Sequence, residues 1–338
     1  MNAFHGWRTM LVMVGLTMFP YNSFAEEEIE VVLDGLKNPC GIAVQPGTGT
    51  IFVSESAAGR VIRVVNGQAE EVISGSNLDV YGKGPKYDIG PLGIAFLDNN
   101  RLAVADGGYA DGEEFVRVFN IPEVGAGPVS YEDGVKVGPV TATEEIKAEG
   151  NFYGIAATDE AIFVTANGDD TKGWVAKADI DGTQFGALER FIATKEATDP
   201  PTDAPVGITI SPRGEVVIGQ MGEITVENDA KLNFYNAQNG SVILDRDTGL
   251  HDITALAYSP KGHLYALDFA WLDTSQGGLF RLDDDKNDGI HAVKIVGLEK
   301  PTCLAFGEDG SLYITLIGEV EGENQVGNGQ LIRLKTGL

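Results

Sequence analysis

The chain has 338 residues, with 24 basic against 50 acidic side chains and a net charge of −26. So acidic a surface repels phosphate backbones and anionic lipid, which argues against nucleic acid and membrane-surface binding. Two cysteines and four histidines exclude a disulfide framework and a four-thiolate zinc site, and 44 glycines, about twice the ordinary share, point to many tight turns between short strands.

In chain order, Met1 to Arg8 carries one positive charge, Thr9 to Met18 is apolar, and Ser23-Phe24-Ala25 places small residues around a cleavage point. Residues 1–25 are expected to be a secretory signal, leaving residues 26–338 as one secreted or periplasmic domain. No membrane span is expected after cleavage, because an apolar run of about ten residues is too short for the hydrocarbon core.

One phrase then recurs: Pro39-Cys40-Gly41-Ile42-Ala43, Pro91-Leu92-Gly93-Ile94-Ala95, Tyr153-Gly154-Ile155-Ala156, Pro205-Val206-Gly207-Ile208-Thr209, Thr254-Ala255-Leu256-Ala257 and Pro301-Thr302-Cys303-Leu304-Ala305. The repeat length, read from Gly41, Gly93, Gly154, Gly207, Ala255 and Cys303, is that of propeller blades rather than helical solenoids. A polar turn and an apolar strand follow each copy (Ile51 to Val53 in the first, Leu312 to Ile314 in the last), which is hairpin patterning. A third strand comes next, such as Arg60 to Val65 or Gly278 to Leu282, and then a fourth: Glu70 to Ile73, Val140 to Ile146, Leu188 to Ile192, Val242 to Asp245 and Ala292 to Val296. The sixth repeat ends before its fourth strand, while Glu28 to Asp34 is a strand with no repeat of its own. The N-terminal strand is therefore expected to complete the last blade of an all-β, six-bladed propeller with four antiparallel strands per blade, leaving no free sheet edge at the seam.

The phrase, its polar turn and the following Val61-Ile62-Arg63-Val64-like strand resemble the NHL-repeat propellers and the wider group containing regucalcin and gluconolactonase, strictosidine synthase-like and streptogramin-lyase-like proteins. The resemblance covers residues 28–338 and implies the fold; function has to be argued from the site. Gluconolactonase-type enzymes hold a divalent metal with a Glu at the start of the first blade, Asn residues and an Asp, whereas this chain reads Asn38-Pro39-Cys40-Gly41 and Asn151-Phe152-Tyr153-Gly154 there. Streptogramin-lyase-like enzymes use His and Glu at the channel mouth, and His251 with Glu55 is the pair that could imitate it, His251 as general base.

By blade topology the two-to-three loops and the inter-blade linkers share one face. They are long and varied, including Ser74 to Gly90 and Lys195 to Ala204, which marks that face as the candidate site. Aligned strand-two ends give Glu55, Asp106, Asn167, Gln220, Asp268 and Leu316, and the approaches to strand one add Asn38, Asp88, Asn151, Asp203, Asp252 and Glu299. Two oxygen-rich rings are expected around the channel, with Glu55, Asp106, Asn167 and Asp268 as candidate ligands for Ca2+ or another divalent cation. The same residues also suit strand-end turns. Tyr109, Asp203, Asp252 and Trp271 are the candidate ligand-binding residues. Cys40 and Cys303 fall in blades that meet at the seam, and a disulfide between them is left open. The expected function is a monomeric binding module that captures a small molecule or protein partner on the loop face, with calcium as the expected ion. The alternative is a metal-dependent lactonase or related hydrolase of the gluconolactonase-like group, in which the cation polarises a carbonyl.

Overall fold

The computed structural model describes residues 29–82, 85–167, 172–202, 204–285, 289–320 and 325–335; the expected signal segment and Asp203 lie outside them. Six mainly antiparallel sheets form the blades of a propeller. Strand one of each blade packs against strand one of the next, and that of blade 6 returns to blade 1. The ring closes as the repeats require: Ile29–Lys37 pairs antiparallel with Asn328–Leu334, so the first strand is the outer strand of the last blade.

The repeated phrase is explained by the crowding around the channel axis. In blades 1, 2, 4, 5 and 6 the residue opening strand one pairs with the residue closing strand two: Pro39 with Glu55, Pro91 with Asp106, Pro205 with Gln220, Ile253 with Asp268 and Pro301 with Leu316. A bulge follows each pair and presses the chain against its neighbour. A Cβ on Gly41 would collide with the Leu92 carbonyl oxygen, and one on Gly154 with that of Val206, so only glycine allows the blades to close up there. Hydroxyls add cross-links: Ser54 donates to Leu92 O at 2.5 Å, Thr165 to Val206 O at 3.0 Å, Thr254 to Pro301 O at 3.1 Å and Thr302 to Pro39 O at 2.7 Å. Outside this throat, apolar side chains of adjacent blades interlock, as Val116 and Val118 of blade 2 do with Ile162 and Val164 of blade 3.

Two features differ from the sequence reading. The fourth strand of blade 2 is Val135–Val137, paired with Val116–Asn120, and not Val140 to Ile146. The latter segment turns back on itself, with Thr143 N–H donating to Ile146 O and Glu149 N–H to Val140 O. The linker expected between residues 74 and 90 contains a small hairpin, Asp79–Tyr81 with Tyr87–Ile89, lying over the channel mouth. Gly278–Asp285 pairs with Gly289–Gly297 in blade 5. No helix among the described residues is long and apolar enough to cross a membrane.

Candidate functional site

The mouth of the channel on the loop face is an apolar cleft of about 70 Å3 that opens into a vestibule of about 450 Å3; Tyr81, Asn167, Val206, Met221 and Trp271 line both. The throat of the cleft comes from the repeated phrase itself. The residue just before the motif glycine, or its Ala or Cys equivalent, is Cys40, Leu92, Tyr153, Val206, Thr254 and Thr302 in successive blades, and all six line the cleft. Above them stand residues just past strand two, namely Asn167, Met221, Phe269 and Ile317, together with Trp271 and with Tyr81, Tyr87 and Ile89 of the small hairpin.

Trp271 stacks on Phe269 with ring centroids 4.9 Å apart and meets Tyr87 edge-on at 5.9 Å. Tyr153 crosses the throat: its hydroxyl donates to the Thr302 carbonyl oxygen at 3.0 Å, joining blade 3 to the facing blade 6, and burial pushes its phenol well above the usual range. Tyr87 is only 3% exposed, and its hydroxyl makes no hydrogen bond. Burial, with Glu319 adding repulsion, pushes that phenol up to about 12.

The carboxylates expected around the channel are turned to structural use. Glu55 forms an ion pair with Arg60 at 2.6 Å and accepts the Lys37 N–H at 3.1 Å. Asp106 is fully buried, pairs with Arg117 at 3.1 Å, and accepts from the Tyr131 hydroxyl and from the Phe115 N–H at 3.1 Å. Burial raises its pKa, which Tyr131 and Arg117 only partly oppose. Asp268 accepts the N–H groups of His251, Asp252 and Ala270 at 3.0, 2.8 and 3.1 Å. Each satisfies donors left over where a strand ends, a need that arises in every blade. Among the described residues no three His, Cys, Asp or Glu side chains form a group that could hold a metal ion.

Asn167 behaves differently because the register of blade 3 is offset. Thr165 donates to a neighbouring blade as Ser54 does, so Ala166 is the structural counterpart of Glu55 and Asn167 stands one residue further along. It therefore lines the cleft with Met221, Phe269 and Ile317. A slip of one residue changes which side of a strand a side chain serves.

The remaining candidates divide. Trp271 lines both the cleft and the vestibule. Asp252 lies behind it, its carboxylate accepting the Trp271 N–H at 2.5 Å; burial, reinforced by Asp268, raises it to about 6. Tyr109 is not among the lining residues; it packs on blade 2, where its hydroxyl donates to Glu132 at 2.8 Å and Arg117 lies 5.2 Å from its ring. His251 Nδ1 accepts the Asn228 N–H at 3.4 Å, outside the cleft lining. In the second expected ring, Asn38 is buried and ties the two chain ends together, donating to the carbonyls of Asp88 and Gln325 and accepting the Gly327 N–H at 2.6 Å. Cys40 and Cys303 are both free thiols, pushed up by burial to about 12 and about 11. Of the aromatic residues at the mouth, Trp271 is expected from sequence, whereas Tyr81, Tyr87 and Tyr153 are not; Tyr153 alone stands at the variable second residue of the repeated phrase.

No family model matches the chain, and no curated protein matches it. Solved structures do. A gluconolactonase from Xanthomonas campestris superposes with a TM-score of 0.57 at 14% identity, over 91% of this chain and 89% of that one. A second structure described as a putative gluconolactonase gives 0.59 at 14% identity, over 93% of each chain. The PQQ-bound aldose sugar dehydrogenase from Streptomyces coelicolor gives 0.62 at 14% identity, over 92% and 98%. The chain shares the six-bladed propeller architecture of these proteins.

Proposed function

We propose that the protein captures a small organic molecule at the mouth of the propeller channel, on the loop face. One observation carries this reading: six throat residues, one from each blade, together with the small hairpin and the loops of blades 3 to 6, converge on a single apolar cleft beneath a vestibule of about 450 Å3. That volume is in the range that holds small ligands, and binding sites are typically apolar concavities with few polar groups. Tyr153 closes the throat, so the ligand enters and leaves by the vestibule. Titrating a fluorescent apolar probe against the protein and Trp271→Ala tests this: saturable binding to the former and at least about tenfold weaker binding to the variant are expected. Equal binding to both would overturn it.

A second reading, hydrolysis of a cyclic ester, draws on the likeness to solved gluconolactonases. Asp252 supports it, since a carboxylate raised to about 6 beside a cleft wall residue has the proton affinity of a general base near neutral pH. A cation held by Glu55, Asp106, Asn167 and Asp268 would compete with the present partners of the three carboxylates. Lactone hydrolysis that disappears in Asp252→Asn, measured with and without added calcium, is the outcome this reading requires.

A further inference from the structure

The rings of Tyr81, Tyr87, Tyr153, Phe269 and Trp271 all line one cleft of about 70 Å3, and they come from the small hairpin and from blades 3 and 5. Five aromatic rings around so small a space is more than apolar burial alone requires, since neighbouring throat positions are filled by Leu92 and Val206. The charge pattern is equally one-sided. No lysine, arginine or histidine lines the cleft or the vestibule among the described residues, and the one ionisable group other than tyrosine and cysteine on either wall is Glu223. Asp252 sits directly behind Trp271 and Asp268 behind His251 and Ala270, in a chain of net charge −26.

We infer that the cleft is built for an organic cation, an alkylammonium head group seated among these rings with the rest of the molecule in the vestibule. The inference rests on the capture reading above and narrows it to one ligand chemistry. The negative faces of aromatic rings attract a cation, most strongly where water is excluded, and the surrounding field raises the local concentration of cations at the mouth. The Tyr87 hydroxyl supports the assignment. It is buried without a hydrogen-bond partner, an arrangement that is unfavourable until a ligand supplies one. An ammonium N–H or a polarised N-methyl group can lie against its oxygen, whereas a plain hydrocarbon ligand leaves it without a partner.

The experiment compares choline with its uncharged isostere, dimethylbutanol, by calorimetric titration of the protein at low and high salt, with the fluorescent apolar probe titrated in parallel. Choline is expected to bind about tenfold tighter than the isostere, with affinity falling as salt rises. Trp271→Leu, which keeps an apolar wall but removes the ring, should lose most of that preference. Tyr81→Leu, at a position 42% exposed, should lose part of it. Equal or tighter binding of the isostere overturns the cation assignment while leaving the cleft as a ligand site. Failure of choline and the isostere to bind while the probe still binds overturns the assignment in the same way. Failure of all three overturns the capture reading as well.

Discussion

Two sets of residues lie one position apart at the ends of the second strands, and they do opposite work. Glu55, Asp106 and Asp268 close their strands and turn into the protein, where arginines and backbone N–H groups use their oxygens. The position past strand two gives Asn167, Met221, Phe269 and Ile317 in blades 3 to 6, which line the channel mouth and are apolar but for Asn167. The acidic set holds loops and strand ends in place, and the apolar set makes the cavity. Where the strand end carries an acid, its oxygens bond backbone donors or arginines left over there, which is a structural use. Only the position past it is free to be chosen for a ligand.

The contrast is broken most severely beneath both sets, where the blades touch. Gly41→Ala places a Cβ against the Leu92 carbonyl, and backbone cannot step aside as a side chain can. A loss of about 3–5 kcal/mol, or failure to fold, is expected from chemical denaturation. Gly214→Ala, whose Cβ would meet nothing, should be milder: its φ of +81° makes alanine strained, but by only about 1 kcal/mol. Similar losses in the two variants would show that the throat is not tightly packed.

At the acidic set itself, Asp106→Ala leaves Arg117 buried with its principal partner gone, and removal of one member of a buried pair costs about 3–5 kcal/mol. Trp271→Ala tests the neighbouring set. Trp271 is only half-buried and stacks on Phe269, so a loss nearer 1–2 kcal/mol is expected, together with loss of ligand binding. Binding that survives in Trp271→Ala and vanishes in a folded Asp106→Ala would reverse the division of labour proposed for the two positions.

A further buried carboxylate, Glu114, sharpens the comparison. Glu114 accepts the N–H groups of Asn151 and, at 3.2 Å, Tyr109, and burial pushes it up to about 8. Its folded pKa lies above its unfolded value of about 4.5. Between those two values the folded protein keeps a proton that the unfolded chain releases. Stability contributed by this group therefore falls as pH rises from about 4.5 to about 8. Glu114→Gln, which cannot ionise, should unfold at nearly the same temperature as the parent near pH 4.5 and several degrees higher at pH 8. A parent and variant with parallel pH profiles would place the ionisation of Glu114 elsewhere.

The fold was legible because the throat imposes the same demand in each blade: a small residue where neighbouring chains touch, preceded by proline in four copies and followed by Ile-Ala or a close relative. The closing strand was legible from arithmetic, since one repeat lacked a strand and one strand lacked a repeat. The fourth strand of blade 2 was misplaced because Val-Thr-Ala-Thr alternates like a strand, while the true one, Val135–Val137, is three residues between glycines. The site was less legible. Asn167 was aligned with Glu55 and Asp106 because it is the polar residue nearest that column, and only the bond from Thr165 to Val206 shows that Ala166 holds the position. The hairpin supplying Tyr81 and Tyr87 has three-residue strands, too short for a periodic signal.

The smallest expected effect is that of calcium. The carboxylates that could bind it already accept hydrogen bonds from backbone or arginine, and an entering cation would have to compete with those donors for their oxygens. A held ion present at a hundred times its dissociation constant adds about 2.7 kcal/mol to the folded state. With the strand ends arranged as they are, millimolar calcium against EDTA should shift the unfolding temperature by no more than about 1 °C, through screening of the net negative charge, and equal ionic strength of sodium chloride should reproduce it. A calcium-specific shift of several degrees that is lost in Asp268→Ala, but kept in Asp252→Asn, would mean that the strand-end acids do reach a common ion. The two neighbouring positions would then share one site, with the cation beneath the aromatic cleft and within reach of its ligand.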